Sequence, residues 1–150
     1  MAGINDRQID VLNGLISTTL DSADGYAEAA RDARNPRFKS LFDLRATDRR
    51  QLSAELQAKV HSLGGKPDDG GSLLGAGHRM FLNLKSAVTG SDESVITEIE
   101  GGEGYLKGKY EVALQDDGLS EHVKVLVARV YEHVKADDDQ SHNLNRSATA

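Results

Sequence analysis

The group with the clearest chemical potential in this sequence is a carboxylate on an apolar helix face. The stretch ITEIEGGEGYLKGKYEVAL, residues 96–114, has a helical repeat that sets Glu103 on one face with four apolar residues, namely Ile96, Ile99, Leu106 and Tyr110. A carboxylate on such a face is costly unless another group pairs with it. Three interpretations follow for Glu103: a metal ligand, one half of a buried ion pair, or a surface residue on a misphased stripe.

Four glycines occupy the same predicted helix, at positions 101, 102, 104 and 108. Each interior glycine costs a helix about 1 kcal/mol relative to alanine. Their missing side chains would let a neighbouring backbone or a long arginine side chain approach Glu103 closely. The alternative is that the helix simply tolerates them.

The elements that must position Glu103 are helices, because apolar residues recur every three or four positions without sustained alternation. We predict an all-α protein with a single domain over residues 1–150. Its long helices are predicted at about 6–33, 36–63 and 92–115 and after residue 120, with a short helix at about 73–88. Asn35, Ser91 and Ser120 are the predicted N-caps, and the polar tail from about Asn143 is expected to be frayed.

Connection lengths predict the topology of these helices. The links at Arg34–Asn35 and at Asp117–Leu119 are short, so each is expected to join antiparallel neighbours. The link from Gly64 to Ser91 is long enough to travel the length of a bundle. Helices two and three would then be parallel, which is the ferritin-like arrangement of a four-helix bundle with a long crossover.

Composition restricts the classes of partner and site. The net charge of −6 argues against nucleic acid or an anionic membrane surface as the main partner. The absence of cysteine excludes disulfides and thiolate metal sites. The N-terminal residues MAGINDRQID lack the basic and apolar regions of a signal peptide, and no stretch approaches the length of an apolar membrane span. We therefore expect a cytoplasmic protein.

Three sequence motifs carry a resemblance to a known family. They are Leu63-Gly64-Gly65-Lys66-Pro67, the pair His78-Arg79 with Leu84-Lys85, and Glu100 to Glu103 followed by Tyr110. Over most of residues 5–140 the chain resembles an uncharacterised bacterial four-helix-bundle family, domain of unknown function 2383, within the ferritin-like superfamily. The resemblance implies the fold and supplies no established activity.

A ferritin-like fold raises the question of a di-iron centre, and the residues can be compared with that pattern. Such a centre takes one glutamate from each of two helices and a Glu-x-x-His segment from each of the other two. Glu103 matches one of the glutamates by position. No Glu-x-x-His segment occurs in the chain, and the nearest approach is Asp139-x-x-His142. At the level of Glu103, the second helix offers Arg45 and Arg49 instead of a carboxylate.

The sequence therefore favours a buried ion pair in place of a metal. Glu103 is expected to pair with Arg49 or Arg45, because guanidinium makes bidentate contacts to carboxylate. Tyr26, Tyr110 and Asp24 complete the predicted centre, with the two hydroxyls on the buried charges. The alternative is an iron or manganese carboxylate protein, for metal storage or oxidation, whose ligands would be Glu103, Asp24, Glu28, Asp138 and His142.

On these grounds we interpret the chain as a non-enzymatic bundle without a cofactor. It would act through protein contacts, as a homodimer or a larger homo-oligomer. His78 and the glycine-rich stretch GSLLGAG, residues 71–77, lie on the predicted crossover, where packing explains them better than catalysis or phosphate binding.

Overall fold

Four α-helices make up the part of the chain that the computed structural model describes, which is residues 4–70, 84, 87–88 and 90–149. They are α1 (Ile4–Asp32), α2 (Pro36–Ser62), α3 (Asp92–Leu114) and α4 (Glu121–Thr149). No strand occurs among these residues. The all-α four-helix prediction is confirmed.

Each predicted N-cap is in place. The Asn35 side chain accepts a hydrogen bond from the backbone N–H of Arg37, and Pro36 follows as the first helical residue. The Ser91 hydroxyl accepts from the Ser94 N–H, and the Ser120 hydroxyl accepts from the Val123 N–H. These bonds satisfy donors that the first turn of a helix leaves free.

The C-terminal end of the last helix differs from the expectation. The backbone of α4 is helical as far as Thr149, whereas we expected the chain to fray from about Asn143. The predicted short helix at 73–88 and His78 lie outside the described residues, apart from Leu84, Ala87 and Val88. Leu84 and Val88 are buried.

Side-chain contacts define the direction of α2 relative to α1. Ser22 contacts Arg49, and Tyr26, one turn later in α1, contacts Arg45, one turn earlier in α2. The two helices are therefore antiparallel, as the short link between them requires, and they share the most extensive packing in the bundle.

The same reasoning applies to α3. Thr19 contacts Tyr110, while Tyr26 contacts Glu103, so α1 and α3 are antiparallel. Helix α3 packs chiefly on α4, with Lys107 beside Asp138 and Glu111 bonded to Tyr131. These pairs make α3 and α4 antiparallel as well.

The core consists of two apolar clusters with a polar layer between them. The first cluster includes Leu12, Ile16, Leu56, Leu106 and four valines of α4. The second includes Tyr26, Phe42, Leu84 and Ile99. In α3, Glu103 lies between Ile99 of one cluster and Leu106 of the other, so the layer falls across the middle of the bundle.

Among the described residues, no helix combines the length and apolar character needed to cross a lipid bilayer.

Replacing one buried and one exposed leucine of α2 should show which face of this helix packs in the core. We expect Leu56→Ala to lower the free energy of unfolding by about 2–5 kcal/mol, because Leu56 is fully buried and its removal leaves a cavity. Leu44→Ala on the same helix is the matched control. Leu44 is 68% exposed, so its loss should change stability by less than about 0.5 kcal/mol. Urea unfolding measures both, and equal effects would contradict the assignment of α2's inner face.

Candidate functional site

Glu103 is the centre of the polar layer and is fully buried. Its Oε2 atom accepts a hydrogen bond from Arg49 Nη2 at 2.6 Å. Its Oε1 atom accepts a hydrogen bond from the Tyr26 hydroxyl, and Arg45 Nη1 lies 4.0 Å from the same oxygen. Both carboxylate oxygens are therefore engaged by groups of α1 and α2.

Arg49 extends the layer to α1 and α4. Its Nη1 donates to the Ser22 hydroxyl at 3.0 Å. Its Nη2 donates to Asp137 Oδ2 at 3.0 Å as well as to Glu103. Arg49 has no solvent exposure, while the Asp137 side chain is 21% exposed. One guanidinium thus joins two carboxylates on different helices.

Arg45 lies one turn away on α2 and contacts the C-terminal part of α4. Its Nη1 donates to the Tyr26 hydroxyl at 3.0 Å and to the Ser141 hydroxyl at 3.1 Å. Its Nη2 donates to the Asp137 carbonyl at 3.0 Å and to Gln140 Oε1 at 2.9 Å. Arg45 therefore anchors α4 against the pair formed by Tyr26 and Glu103.

Tyr26 contacts both arginines through its ring and donates a hydrogen bond to Glu103 through its hydroxyl. The guanidinium carbons of Arg45 and Arg49 lie 5.6 Å and 5.7 Å from the centroid of its ring, within range of a cation–π interaction. On its other side the ring packs against Phe42, with centroids 5.6 Å apart.

Tyr110 belongs to the edge of the layer rather than to the ion pair. Its hydroxyl lies 2.7 Å from Thr19 Oγ1. Since the Thr19 hydroxyl donates its proton to the Leu15 carbonyl, Tyr110 is the donor to Thr19. The sequence predicted that the Tyr110 hydroxyl contacts the buried charges. In the structure this hydroxyl bonds to Thr19 instead.

The electrostatic environment keeps Glu103 ionised. Burial by itself would raise the pKa of Glu103, but the charges of Arg49 and Arg45 and the hydrogen bonds from Arg49 and Tyr26 hold that pKa below its usual value. Burial, followed by the nearby Glu103 charge, raises the pKa of Tyr26. Tyr26 therefore remains a protonated donor. Burial also raises the pKa of Tyr110, to about 12.

Asp137 behaves differently, although it shares the same arginines. Burial raises the pKa of Asp137 above its usual value, and the charges of Arg49 and Arg45 oppose that rise without cancelling it. Two guanidiniums and two carboxylates nevertheless make the layer neutral when both acids are ionised. This balance explains how four charged groups can share the interior of a small bundle.

Three buried polar atoms have no hydrogen-bond partner among the described residues: Arg45 Nε, Arg49 Nε and Ser53 Oγ. Ser53 follows Arg49 by one turn of α2, so two of these atoms belong to neighbouring side chains. Such groups commonly bind buried water.

The predicted ion-pair centre and the alternative metal-ligand set also included residues that lie outside the polar layer. Asp24 is not part of the centre, because its side chain is 60% exposed and lies 3.8 Å from Arg50. Glu28 is half-buried. The position of Asp24 follows from helix periodicity: it is two residues from Ser22 and Tyr26, and so lies on the opposite face of α1.

Asp138 and His142 form a separate group on the side of α4 that faces α3. Asp138 is buried and lies 3.5 Å from Lys107 and 3.6 Å from His142. His142 also lies 3.3 Å from Glu100. Within the described ranges, no group of three His, Asp or Glu side chains has an arrangement that could hold a metal ion. The alternative ligand set is thus distributed over three places.

Sequence reasoning missed the contribution of α4. The segment ADDDQS, residues 136–141, reads as a solvated acidic helix end, yet Asp138 and Ser141 are buried and Asp137 reaches Arg49. A signal was present, since the spacing of Val127, Val130 and Val134 continues at Asp137 and Ser141. Extending the inner stripe past its last apolar residue would have found both.

The explanation offered for the glycines holds for only part of the helix. Gly102 is buried. Gly101 and Gly104 are exposed and Gly108 is half-buried. A Cβ atom added at Gly104 or Gly108 would meet nothing within 4 Å. Within the part of the chain that the structure describes, no neighbour requires a glycine at these two positions.

Comparison with known proteins gives one family. A family model described as Domain of unknown function (DUF2383) matches residues 7–116. This range contains Tyr26, Arg45, Arg49 and Glu103, and it ends before α4 and Asp137. No protein of curated function matches the chain.

Breaking one side of the ion pair should destabilise the fold more than replacing both sides. We expect Arg49→Met to lower the free energy of unfolding by about 3–5 kcal/mol, because it leaves the Glu103 charge buried without its main partner. The double variant Arg49→Met with Glu103→Leu should recover much of that loss, since paired apolar replacements remove the desolvation penalty.

Arg50→Met is the matched control for this cycle, because Arg50 neighbours Arg49 and its side chain is 51% exposed. It should change stability by less than about 0.5 kcal/mol. Denaturant unfolding of the natural chain, Arg49→Met, Glu103→Leu and the double variant gives the coupling energy. A coupling energy of zero would contradict a direct interaction between Arg49 and Glu103.

The contribution of Glu103 should depend on pH in acid. Because its folded pKa lies below the unfolded value of about 4.3, its stabilisation is fully present above that value. It is lost as pH falls through the folded pKa. The difference in unfolding free energy between the chain with Glu103 and its Glu103→Gln variant should therefore be constant near neutral pH and shrink below about pH 4.

Urea titrations at a series of pH values measure this difference. Both proteins carry Asp137→Asn in this comparison, because the Glu103 charge contributes to the raised pKa of Asp137 and the titration of Asp137 would otherwise differ between them. A difference that grows on acidification would contradict the assigned direction for Glu103.

Proposed function

Because the chain belongs to the family described as Domain of unknown function (DUF2383), whose description names no activity, we propose a function from the buried centre itself. The protein is a metal-free, non-enzymatic cytoplasmic scaffold that acts through contacts with other protein chains, including copies of itself. The single observation that carries the proposal is that arginine and tyrosine engage both oxygens of Glu103.

The donor set around Glu103 does not fit a di-metal centre. A metal of this class needs free carboxylate and imidazole donors that converge on one point. Here the positions facing Glu103 on α2 are occupied by Arg45 and Arg49, whose fixed positive charges repel a cation. Asp137, the second carboxylate of the layer, is bonded to Arg49.

The proposal places the chain among ferritin-like bundles in which an ion pair occupies the metal position. Helix α1 is antiparallel to both α2 and α3, which supports parallel α2 and α3 and a crossover between Leu63 and Ser91. Glu103 on α3 then stands where such bundles carry a ligand glutamate. On the basis of the resemblance, we propose that the fold is ferritin-like and that the protein is bacterial.

Action through protein contacts is supported by the surface. Val112 on α3, Val125 on α4 and Leu44 on α2 are large apolar residues that are each at least 66% exposed. The net charge of −6 makes nucleic acid an unfavourable partner. We accordingly propose protein partners, with a homodimer or larger homo-oligomer as the simplest case.

Metal analysis tests the proposal against its main alternative. Protein purified without chelator after growth with added iron and manganese should contain far less than one metal per chain, because no open donor set faces Glu103. Glu103→Gln and the control Glu98→Gln, at a half-buried residue of the same helix outside the polar layer, should not change that content. One or two metals per chain, lost specifically with Glu103→Gln, would overturn the proposal in favour of a metal carboxylate protein.

A further inference from the structure

The outer face of α3 is unusual because it carries no charge along its centre. This face, here called the glycine face, consists of Ser94, Thr97, Gly101, Gly104, Gly108 and Val112, which recur at helical spacing. All are exposed except the half-buried Gly108. Val112 is 72% exposed. None of these six side chains is charged, although exposed Glu93 and Glu111 lie beside the row, about 20° from Gly104 around the helix.

Among the described residues, no neighbour packs against the two central glycines. Open space lies where a Cβ atom would stand at Gly104 and at Gly108. Each glycine destabilises the helix relative to alanine, and nothing in the described residues offsets that cost. Glycines at this spacing are the residues that allow a second helix to approach closely.

Charged residues border the glycine face on both edges in a symmetric order. Helical geometry places Glu98 and Lys109 about 90° to one side of the face and Glu100 and Lys107 about 90° to the other. In each pair the acid precedes the base, whereas Glu93 and Glu111, on the same side as Glu100, stand outside this order. Both pairs have the same midpoint, between residues 103 and 104.

This order is self-complementary. A second α3 that runs antiparallel about the shared midpoint brings Glu98 of each copy opposite Lys109 of the other. It also brings Glu100 opposite Lys107. A two-fold symmetric interface requires that one surface complement itself in this way. An unrelated partner imposes no such symmetry on the charges of α3.

An open groove adjoins the C-terminal half of the glycine face, between α3 and α4. Its volume is about 660 Å³, and its lining includes Gly108, Val112, Leu114 and Tyr131. About the same midpoint, residues 108–115 face the first two turns of the other α3. The groove therefore provides a recess beside the glycine face for side chains of the second helix.

We propose that a second copy of this chain docks antiparallel on the glycine face of α3 and forms a two-fold symmetric dimer. The inference rests on the proposed function and names the surface and the partner. The outer pair, Glu98 with Lys109, is the clearer probe. Glu100 and Lys107 already lie beside His142 and Asp138 of their own chain, whereas Lys109 contacts the ring of Tyr105 only through a cation–π interaction.

Sedimentation equilibrium of the full chain over about 1–100 μM tests the dimer. We expect twice the chain mass in the upper part of this range. Gly104→Leu should shift the chain to monomer, because the added side chain fills the space that the second helix needs. Gly14→Leu is the matched control: Gly14 is an exposed helical glycine of α1 with equally open surroundings, and its replacement should leave the dimer unchanged.

Charge exchange tests the symmetry of the interface. Glu98→Lys and Lys109→Glu should each weaken the dimer by about tenfold, because either change produces two like-charge contacts per dimer. An equimolar mixture of the two variants should recover the original affinity as a heterodimer, since every contact is then between opposite charges. Thermal unfolding verifies that each variant is folded.

The possible outcomes separate this inference from the proposed function. A dimer insensitive to Gly104→Leu and to the charge changes would overturn the α3 interface and leave assembly as the function. A monomer at every concentration would overturn the dimer, and the metal analysis would then decide the proposed function independently. Dimers that weaken with the single charges but do not recover on mixing would overturn the antiparallel two-fold arrangement.

Discussion

The structure depends on the burial of one guanidinium beside one carboxylate. Removing Arg49 and Glu103 from water costs several kcal/mol for each charge, and only close pairing with additional hydrogen bonds can offset that cost. Ser22, Tyr26 and Asp137 provide those bonds from two further helices. All four helices are therefore held to the positions that the two charges require.

Such a centre determines how the helices align more than how strongly they associate. Apolar side chains of similar volume could fill the same layer at equal or greater stability, but they would tolerate many alignments. A slide of α3 by one turn moves Glu103 by about 5.4 Å and takes it out of reach of Arg49. The apolar clusters on either side of the layer do not prevent such a slide, because apolar contacts are not directional. The polar layer does prevent it, and so it selects one alignment of the helices. We regard this selection as its structural role.

The helices could be predicted from the sequence because their signals are local. Asn35 and Pro36 mark a helix start by their own chemistry, and the repeat of the valines in α4 defines a face without knowledge of its neighbours. The proximity of Arg49 and Glu103 could be inferred because each lies near the middle of its helix. The inward position of Asp137 could have been inferred by extending the spacing of the valines in α4 past Val134, but that spacing does not identify Arg49 as the partner of Asp137. The outward position of Gly104 was missed because a glycine has no side chain to indicate its face. Tyr110 was assigned to the right stripe, but hydrogen-bond geometry, which a stripe does not contain, directs its hydroxyl to Thr19.

The order in which the chain is synthesised gives the polar layer a further consequence. Helices α1 and α2 leave the ribosome first, and their hairpin carries both guanidiniums before Glu103 and Asp137, the two carboxylates that bond to Arg49, have been made. Glu103 follows Arg49 by 54 positions, and Asp137 follows it by 88. An early hairpin must therefore keep its inner face hydrated, since closing it over two unneutralised charges is unfavourable. Stable closure has to wait for the second half of the chain, which makes the maturation of this small bundle a single late event rather than a stepwise accumulation of helices.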